Sequence, residues 1–273
     1  RNFREFVEVQ KRDAILLAEV DLAPERYSDF FGNEDQMHML FNFYVNNYLF
    51  LSLAREEAPP VANALKAMPQ TAPKEQMAIF LRNHDELNLD KLTEKEKQEV
   101  FKVFAPEENM QIFGRGIRRR LASMLGNDRT RMELAYSLLF TLPGTPVLRY
   151  GQEIGMGEDL SLEGRSSVRT TMQWSNKKNG GFSTARKEDL IRPAISKGEF
   201  SYKKVNVNDQ HLDPDSFLNW MARVINFRKE FREFGWGNYE VLETDNKAVL
   251  AHRTESEKGV GIAVHNFSRN EVT

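Results

Sequence analysis

Apolar and polar positions alternate between two spacings along most of the chain. Residues 2–12 carry Phe3, Phe6, Val7 and Val9 among charged neighbours, which is one face of an amphipathic helix. Residues 14–18 form an apolar run closed by Glu19, followed by Pro24 and a polar loop. This predicts a buried strand with an acid at its tip. A second short strand is expected over residues 37–43, a helix over 45–57, and another helix opening at Pro59-Pro60. Residues 78–81, Ala-Ile-Phe-Leu, are the next strand, and the chain then turns polar at once into Asn83, His84, Asp85 and Glu86. Thr93 with Glu96 is a capping box for a helix that buries Val100, Phe101 and Phe104. Asn127-Asp128 caps a helix with Leu134, Leu138 and Leu139 inward, ended by Leu142-Pro143-Gly144. A fourth strand is expected over residues 146–150. Residues 151–198 are rich in Gly, Ser and Asn and show no period, and an irregular stretch that long in a compact chain is usually functional. Asp213-Pro214 is expected to start a last helix with Phe217, Met221, Val224, Ile225 and Phe231 on its core face. From Tyr239 the period falls to two, which predicts short strands around Val241, 249–251 and 260–264.

Alternation of strands and helices up to Phe234 implies an α/β fold with a parallel sheet. About four strand–helix units are present, where a closed eight-stranded barrel needs eight. The pattern therefore fits a small α/β sheet or one half of a barrel, with a β-domain beginning near residue 236. A strand of such a sheet fixes its backbone and opens its carboxyl end onto a cleft. Glu19 and Asp85 stand at two such ends. Cleavage of a glycosidic bond with retention needs two carboxyl groups flanking the anomeric carbon. Position alone does not assign that role, because a lone Glu ending a strand is more often a solvated rim residue. A lone His-Asp pair is likewise more often a polar cap of a turn.

Composition narrows the classes. With 40% hydrophobic and 29% charged residues the chain has the make-up of an ordinary globular protein. The 38 basic and 40 acidic residues leave a net charge of −2, which argues against a nucleic-acid partner. The four arginines between 115 and 120 are expected instead to pair with the acids of residues 94–108. There is no cysteine, so disulfides and thiolate metal sites are excluded and a cytoplasmic setting is expected. No apolar run reaches the roughly 18 residues of a membrane span, so no membrane partner is expected, and no signal peptide is read at Arg1. His38, His211, His252 and His265 fall in no ligand spacing and are read as structural, so no metal and no cofactor are expected. Phe41, Phe43 and Tyr44 are read as core packing rather than a sugar platform. Gly151, Gly155 and Gly157 precede no helix pattern and form no phosphate loop.

Several stretches together resemble the α-amylase family of glycoside hydrolases and transglycosylases. They are Phe-Leu-Arg-Asn-His-Asp-Glu-Leu at 80–87, Gly-Ile-Arg-Arg-Arg-Leu-Ala at 116–122 and Leu-Pro-Gly-Thr-Pro-Val at 142–147. To these add Tyr150-Gly151 with Glu153-Ile154-Gly155-Met156-Gly157, Val168-Arg169-Thr170 with Met172-Gln173-Trp174, and Gly181-Phe182-Ser183. Within the family they look most like trehalose synthases, which interconvert maltose and trehalose. The resemblance implies that residues 1–235 are the second half, strands five to eight, of a (β/α)8 TIM barrel. Residues 236–273 would then begin an antiparallel β-sheet C-terminal domain. It matches Glu19 to the general acid/base after the fifth strand and Asp85 to the transition-state stabiliser after the seventh. His84 matches the histidine that bonds the innermost sugar, and Arg165 and Arg169 match arginines near that sugar.

Two departures accompany the match. The first four strands, and with them the usual nucleophilic aspartate, have no counterpart, so the resemblance implies part of a longer enzyme. Near the cleft, Arg149-Tyr150-Gly151-Gln152-Glu153 stands where Tyr-Tyr-Gly-Asp-Glu is usual, and Val20-Asp21-Leu22 where Ala-Asn-Gln is usual. The implied partner is a small α-glucoside of the maltose/trehalose class, and self-association through exposed barrel edges is a further expectation. Two other readings stay open: a hydrolase of the same family, and a non-catalytic carbohydrate-binding or assembly module.

Overall fold

The computed structural model describes residues 2–72 and 74–272; Arg1, where no signal peptide is read, lies outside them, as do Pro73 and Thr273. Helix α1 (Asn2–Gln10) leads to strand β1 (Leu17–Ala18), the short helix α2 (Ser28–Phe31), strand β2 (Met39–Phe41), and helices α3 (Phe43–Arg55) and α4 (Pro59–Lys66). Strand β3 (Gln76–Phe80) is followed by β4 (Leu87–Asn88), helix α5 (Glu94–Phe104), strands β5 (Gln111–Ile112) and β6 (Gly116–Ile117), and helices α6 (Leu121–Met124) and α7 (Arg129–Thr141). Strand β7 (Thr145–Val147) opens the long irregular segment. Then come helices α8 (Val207–Leu212), α9 (Phe217–Glu230) and α10 (Glu233–Trp236), and strands β8 (Asn238–Leu242), β9 (Val249–Ser256) and β10 (Gly259–Asn266).

The organising element is a four-stranded parallel sheet in the order β1-β2-β3-β7. Its interior strand β3 has partners on both sides, and Ala78, Ile79, Phe80 and Leu81 are all buried, as a continuous apolar run in a parallel sheet requires. Helix α3 is tied to the carboxyl end of β3 by Asn46, whose Nδ2 donates to the carbonyls of Phe80 (2.7 Å) and Leu81 (3.1 Å). Asn42 caps that helix, accepting from Val45 N at 2.9 Å. The expected capping box of α5 is present, with Thr93 and Glu96 bonded reciprocally, and its buried face is Val100, Phe101 and Phe104. Gly144, between α7 and β7, has φ +118, and a Cβ there would meet the Met77 carbonyl at 2.4 Å; only glycine lets the chain turn so close to β3. A small antiparallel ribbon, β4-β6-β5, stands beyond the end of β3.

Three expectations need correction. The strand predicted over 14–18 shrinks to two residues, with Ile15 and Leu17 exposed (63% and 44%). Among the described residues β1 pairs on one side only, so its apolar run has nothing to pack against there. The apolar face of α1 is likewise in solvent: Phe3, Phe6 and Val9 are exposed, while Arg4 is buried against the Met37 carbonyl and Glu8. Asp213-Pro214 does not start the last helix. Asp213 ends α8, and Ser216 caps α9 by accepting from Asn219 N. Of the expected core face, Phe217 and Met221 are buried, Val224 and Ile225 partly so, and Phe231 is exposed.

The terminal strands form an antiparallel sheet in the order β10-β9-β8. Alternation along β10 turns Ala263 and His265 inward and Val260, Ile262 and Val264 outward. His265 stacks on His252 (5.9 Å between ring centres, 6° apart) and its Nε2 meets the Ser137 hydroxyl of α7 at 3.0 Å. Burial pushes His252 down to about 4 and, with repulsion from His252, His265 down to about 3. Both are therefore neutral when folded, while the unfolded chain takes up protons from pH 6.5 downward. Stability is full above that value and falls as pH drops toward 4, at about 1.4 kcal/mol per pH unit per histidine. Urea midpoints at pH 7.5 and 5.0 are expected to differ, and the difference to shrink in His252→Phe. Among the described residues no helix is long and apolar enough to cross a membrane.

Candidate active site

Because the sheet is parallel, β1 and β3 end on the same side, and the residues after them meet there. Glu19 follows β1 directly. After β3 the turn is held from beneath by the buried Arg82. Its Nε donates to the Arg119 carbonyl at 2.9 Å and its Nη2 to the Asp85 carbonyl at 2.7 Å. Asn83 Oδ1 accepts from Asp85 N at 3.0 Å, which closes an Asx-turn. The result brings a carboxylate oxygen of Glu19, a ring nitrogen of His84 and a carboxylate oxygen of Asp85 within 4.8 Å of one another. Glu19 and His84 are open to solvent and Asp85 is half-buried. The three could also hold a cation between them. No ligand is needed to explain their convergence, since the strand ends and the Asx-turn already impose it.

The long segment after β7 supplies the rest. Arg165 Nη1 lies 3.1 Å from Asp85 Oδ2, and Arg169 Nη2 bonds Asp85 Oδ1 while its Nε donates to the His84 carbonyl at 2.8 Å. All five residues singled out in the sequence are thus brought together. His84 Nε2 is 3.6 Å from Asp85 Oδ1, and the ring is left exposed for a ligand. The segment crosses the carboxyl end of the sheet as expected of a functional loop. Beside Arg169 it leaves a groove of about 670 Å³ lined by Tyr150, Thr171, Trp174 and Phe182, with Trp174 and Phe182 about half exposed.

Sequence reasoning missed Glu86. It is buried, receives Arg165 Nε and Nη2 at 2.6 and 3.1 Å, and lies 3.6 Å from Arg115. Burial, the largest single influence, pushes its carboxyl up, but the hydrogen bonds from Arg165, a backbone N–H and the attraction of the Arg165 charge together hold it below the ordinary range. Glu86 therefore sets where Arg165 stands, and so what faces Asp85. Glu86→Gln keeps the size and removes the charge. It is expected to cost about 2 kcal/mol of unfolding free energy, read from urea denaturation, because Arg165 loses its paired charged acceptor and keeps only Asp85.

The arginines of residues 115–120 do not pair with the acids of 94–108. Arg115 reaches Asp90 and Glu86, Arg118 the carbonyls of Leu160 and Leu162, and Arg119 reaches Glu158. Arg120 reaches the carbonyls of Tyr150 and Val168. They flank β6, Arg115 before it and the other three after it, whereas Glu96 and Glu99 of α5 turn to Arg55. The aromatic cluster is core-like in part: Phe41, Phe43 and Phe80 pack edge-to-face or tilted, while Tyr44 pairs with Tyr48. Asp21 accepts from Asn88 Nδ2 at 2.9 Å and pairs with Lys91 Nζ at 3.1 Å, joining the turn after β1 to β4.

Comparison with known proteins gives the following. The catalytic-domain description of α-amylase matches residues 1–237. A trehalose synthase of Thermus thermophilus is 43% identical over 259 residues, covering 93% of this chain and 26% of that protein. A trehalose synthase of Pimelobacter is 37% identical over 282 residues, covering 98% of this chain and 49% of the relative. The α-amylase of H. orenii superposes with a TM-score of 0.72 at 22% identity over 97% of this chain and 46% of that one. The trehalulose synthase of Pseudomonas mesoacidophila does so with a TM-score of 0.65 at 17% identity. This chain spans half or less of the length of these curated relatives.

Proposed function

The chain belongs to the α-amylase family, and on that premise we propose that it carries part of the active site of a retaining enzyme acting on α-glucosidic bonds of the maltose/trehalose class. In this reading the sheet β1-β2-β3-β7 is strands five to eight of a (β/α)8 barrel formed by residues 1–235, and residues 236–273 open a separate β-domain. One observation carries the proposal. Glu19, His84 and Asp85 converge at the carboxyl ends of parallel strands, with Arg165 and Arg169 laid over them.

Roles follow from the surroundings of each group. Glu19 has no ion-pair partner among the described residues and is open to solvent, so its carboxyl is accessible to a bound sugar. It would protonate the glycosidic oxygen as the bond breaks, and later remove a proton from the incoming hydroxyl. Asp85 is held by two arginines. It would accept hydrogen bonds from sugar hydroxyls and offset positive charge as the oxocarbenium-like transition state forms. His84 would donate to the same sugar. The carboxylate that attacks the anomeric carbon would come from a strand this chain does not contain. The groove beside Arg169 would take the acceptor, a glucose hydroxyl for isomerisation or water for hydrolysis. Lack of cysteine supports a cytoplasmic setting.

The test is product analysis from maltose with a polypeptide that joins this chain to the four complementary strands. Trehalose is expected. Glucose alone would assign a hydrolase, and relatives at 36–37% identity are themselves named trehalose synthase/amylase. Neither product would overturn the catalytic reading and leave a binding module.

A further inference from the structure

A pocket of about 100 Å³ opens where the parallel sheet meets the start of the terminal strands. One wall is the segment 68–72 that leads from α4 into β3, and the other is the turn 235–239 from α10 into β8. Gln76 opens β3 and Gly144 precedes β7, so the pocket lies toward the amino-terminal ends of these strands. Glu19, His84 and Asp85 stand beyond the carboxyl ends, and the two places share no residue. Its frame is fixed by two hydrogen bonds. The Tyr239 hydroxyl donates to the Leu65 carbonyl at 2.7 Å, and Arg228 Nη2 donates to the Gly144 carbonyl at 2.8 Å.

The lining is neutral. Among the described residues no charged side chain belongs to it, so an ion entering would lose its hydration without gaining a counter-charge. Polar groups nonetheless converge there. Asn42 is buried, and its Nδ2 meets only the Met68 sulfur, at 3.7 Å. A thioether is a weak acceptor, so this buried amide leaves most of its donor capacity unused. Gln76 Oε1 accepts from the Thr145 hydroxyl at 3.3 Å, and its amide nitrogen has no protein partner among the described residues. At the rim, the exposed Gln70 and Asn238 add two amide side chains that likewise have no protein partner among the described residues. Trp236, at the end of α10, is 66% exposed and leaves a large apolar ring in water beside these amides.

We propose that this pocket binds one neutral hexose, with a C–H face of the sugar on Trp236 and its hydroxyls on Asn42, Gln70, Gln76 and Asn238. Asn42 supplies a donor, and the rim amides both donate and accept, as sugar hydroxyls do. An apolar wall with a few convergent polar groups is the usual make-up of a small-molecule site. One wall belongs to the approach to β3 and the other to the approach to β8, so a bound sugar ties the terminal strands to the parallel sheet. The site does not depend on the roles proposed for Glu19 and Asp85.

The test is amide hydrogen exchange of the full 273-residue chain with D-glucose, read peptide by peptide. Glucose 6-phosphate tests the exclusion of charge, and cyclohexanol tests whether apolar contact alone suffices. Glucose is expected to slow exchange saturably in segments 68–72 and 235–239, with a Kd of about 1 mM. Asp85→Asn, made in the other site, is expected to leave that protection unchanged, whatever it does to residues 83–87. Trp236→Ala is expected to weaken it about tenfold. If that variant does not fold, Gln70→Ala, in an exposed loop, is used with the same expectation. Neither glucose 6-phosphate nor cyclohexanol is expected to protect the two segments at the same concentration. No protection by glucose at about 100 times the expected Kd would overturn the proposal. So would protection lost in Asp85→Asn, which would place the sugar at the carboxyl ends of the strands only. Protection undiminished in Trp236→Ala, or in Gln70→Ala where that variant replaces it, would overturn it as well. Equal protection by cyclohexanol or glucose 6-phosphate would remove the assignment to a neutral sugar.

Discussion

Glu19→Gln, made in a polypeptide that joins this chain to the complementary four strands, is expected to lower kcat on maltose by about 10³-fold with little change in KM. Glutamine fills the same volume and can still hydrogen-bond the glycosidic oxygen, but it cannot deliver a proton to it. The loss should depend on the leaving group. An aryl α-glucoside whose phenolate leaves unprotonated is cleaved in the first step almost as fast as by the parent. The second step still needs a base to activate the acceptor, so the covalent intermediate accumulates and a burst of phenolate precedes slow turnover. Burst amplitude and steady-state rate with the two substrates measure both effects. Unchanged turnover of maltose would remove Glu19 from the chemistry. A uniform loss on both substrates without a burst would point to misfolding, which circular dichroism and the urea midpoint detect.

How much could be read in advance depended on whether the cause lay in nearby sequence. The run at residues 78–81 was legible because β3 has strands on both sides, so every residue is buried and the apolar signal is continuous. The run at 14–18 carries the same signal, but its second partner is absent among the described residues, and composition cannot report on that. Asp213-Pro214 was a sound local cap signal that lost to Ser216 three residues later, which bonds Asn219 N. Asp213 N is instead taken by Gln210 at the end of α8. That Glu19 and Asp85 converge could be expected from their position at strand ends together with family resemblance. Glu86 was not, because what distinguishes it from an ordinary neighbour of Asp85 is Arg165, 79 residues away in an unpatterned segment. The buried arginines escaped for the same reason. Their partners are backbone carbonyls, which leave no trace in side-chain identity.

The 273-residue chain by itself is expected to show no turnover of maltose, trehalose or an aryl α-glucoside, and to self-associate. Retention requires a carboxylate that attacks the anomeric carbon from the face opposite the acid, with the two carboxyl groups about 5–5.5 Å apart. By distance alone Asp85 could be that group, since an oxygen of it lies within 4.8 Å of Glu19. Its charge partners argue otherwise. Arg169 bonds one oxygen and Arg165 Nη1 lies 3.1 Å from the other, so each oxygen already carries a guanidinium partner and nucleophilicity is lowered. Association follows from the sheet. Among the described residues β1 and β7 each have one strand partner, and an edge with unpaired N–H and C=O groups recruits another chain. Phe3, Phe6 and Val9 of α1 and Ile15 and Leu17 in and before β1 are exposed, apolar side chains that association would cover. Light scattering should therefore give at least a dimer, and Leu17→Lys should shift it toward the monomer. Activity is measured alongside, with Glu19→Gln as control for contaminating enzyme. Turnover that vanishes in that control, or covalent labelling of Asp85 by a fluorosugar that traps the glycosyl intermediate, would make Asp85 the nucleophile and the site in this chain complete.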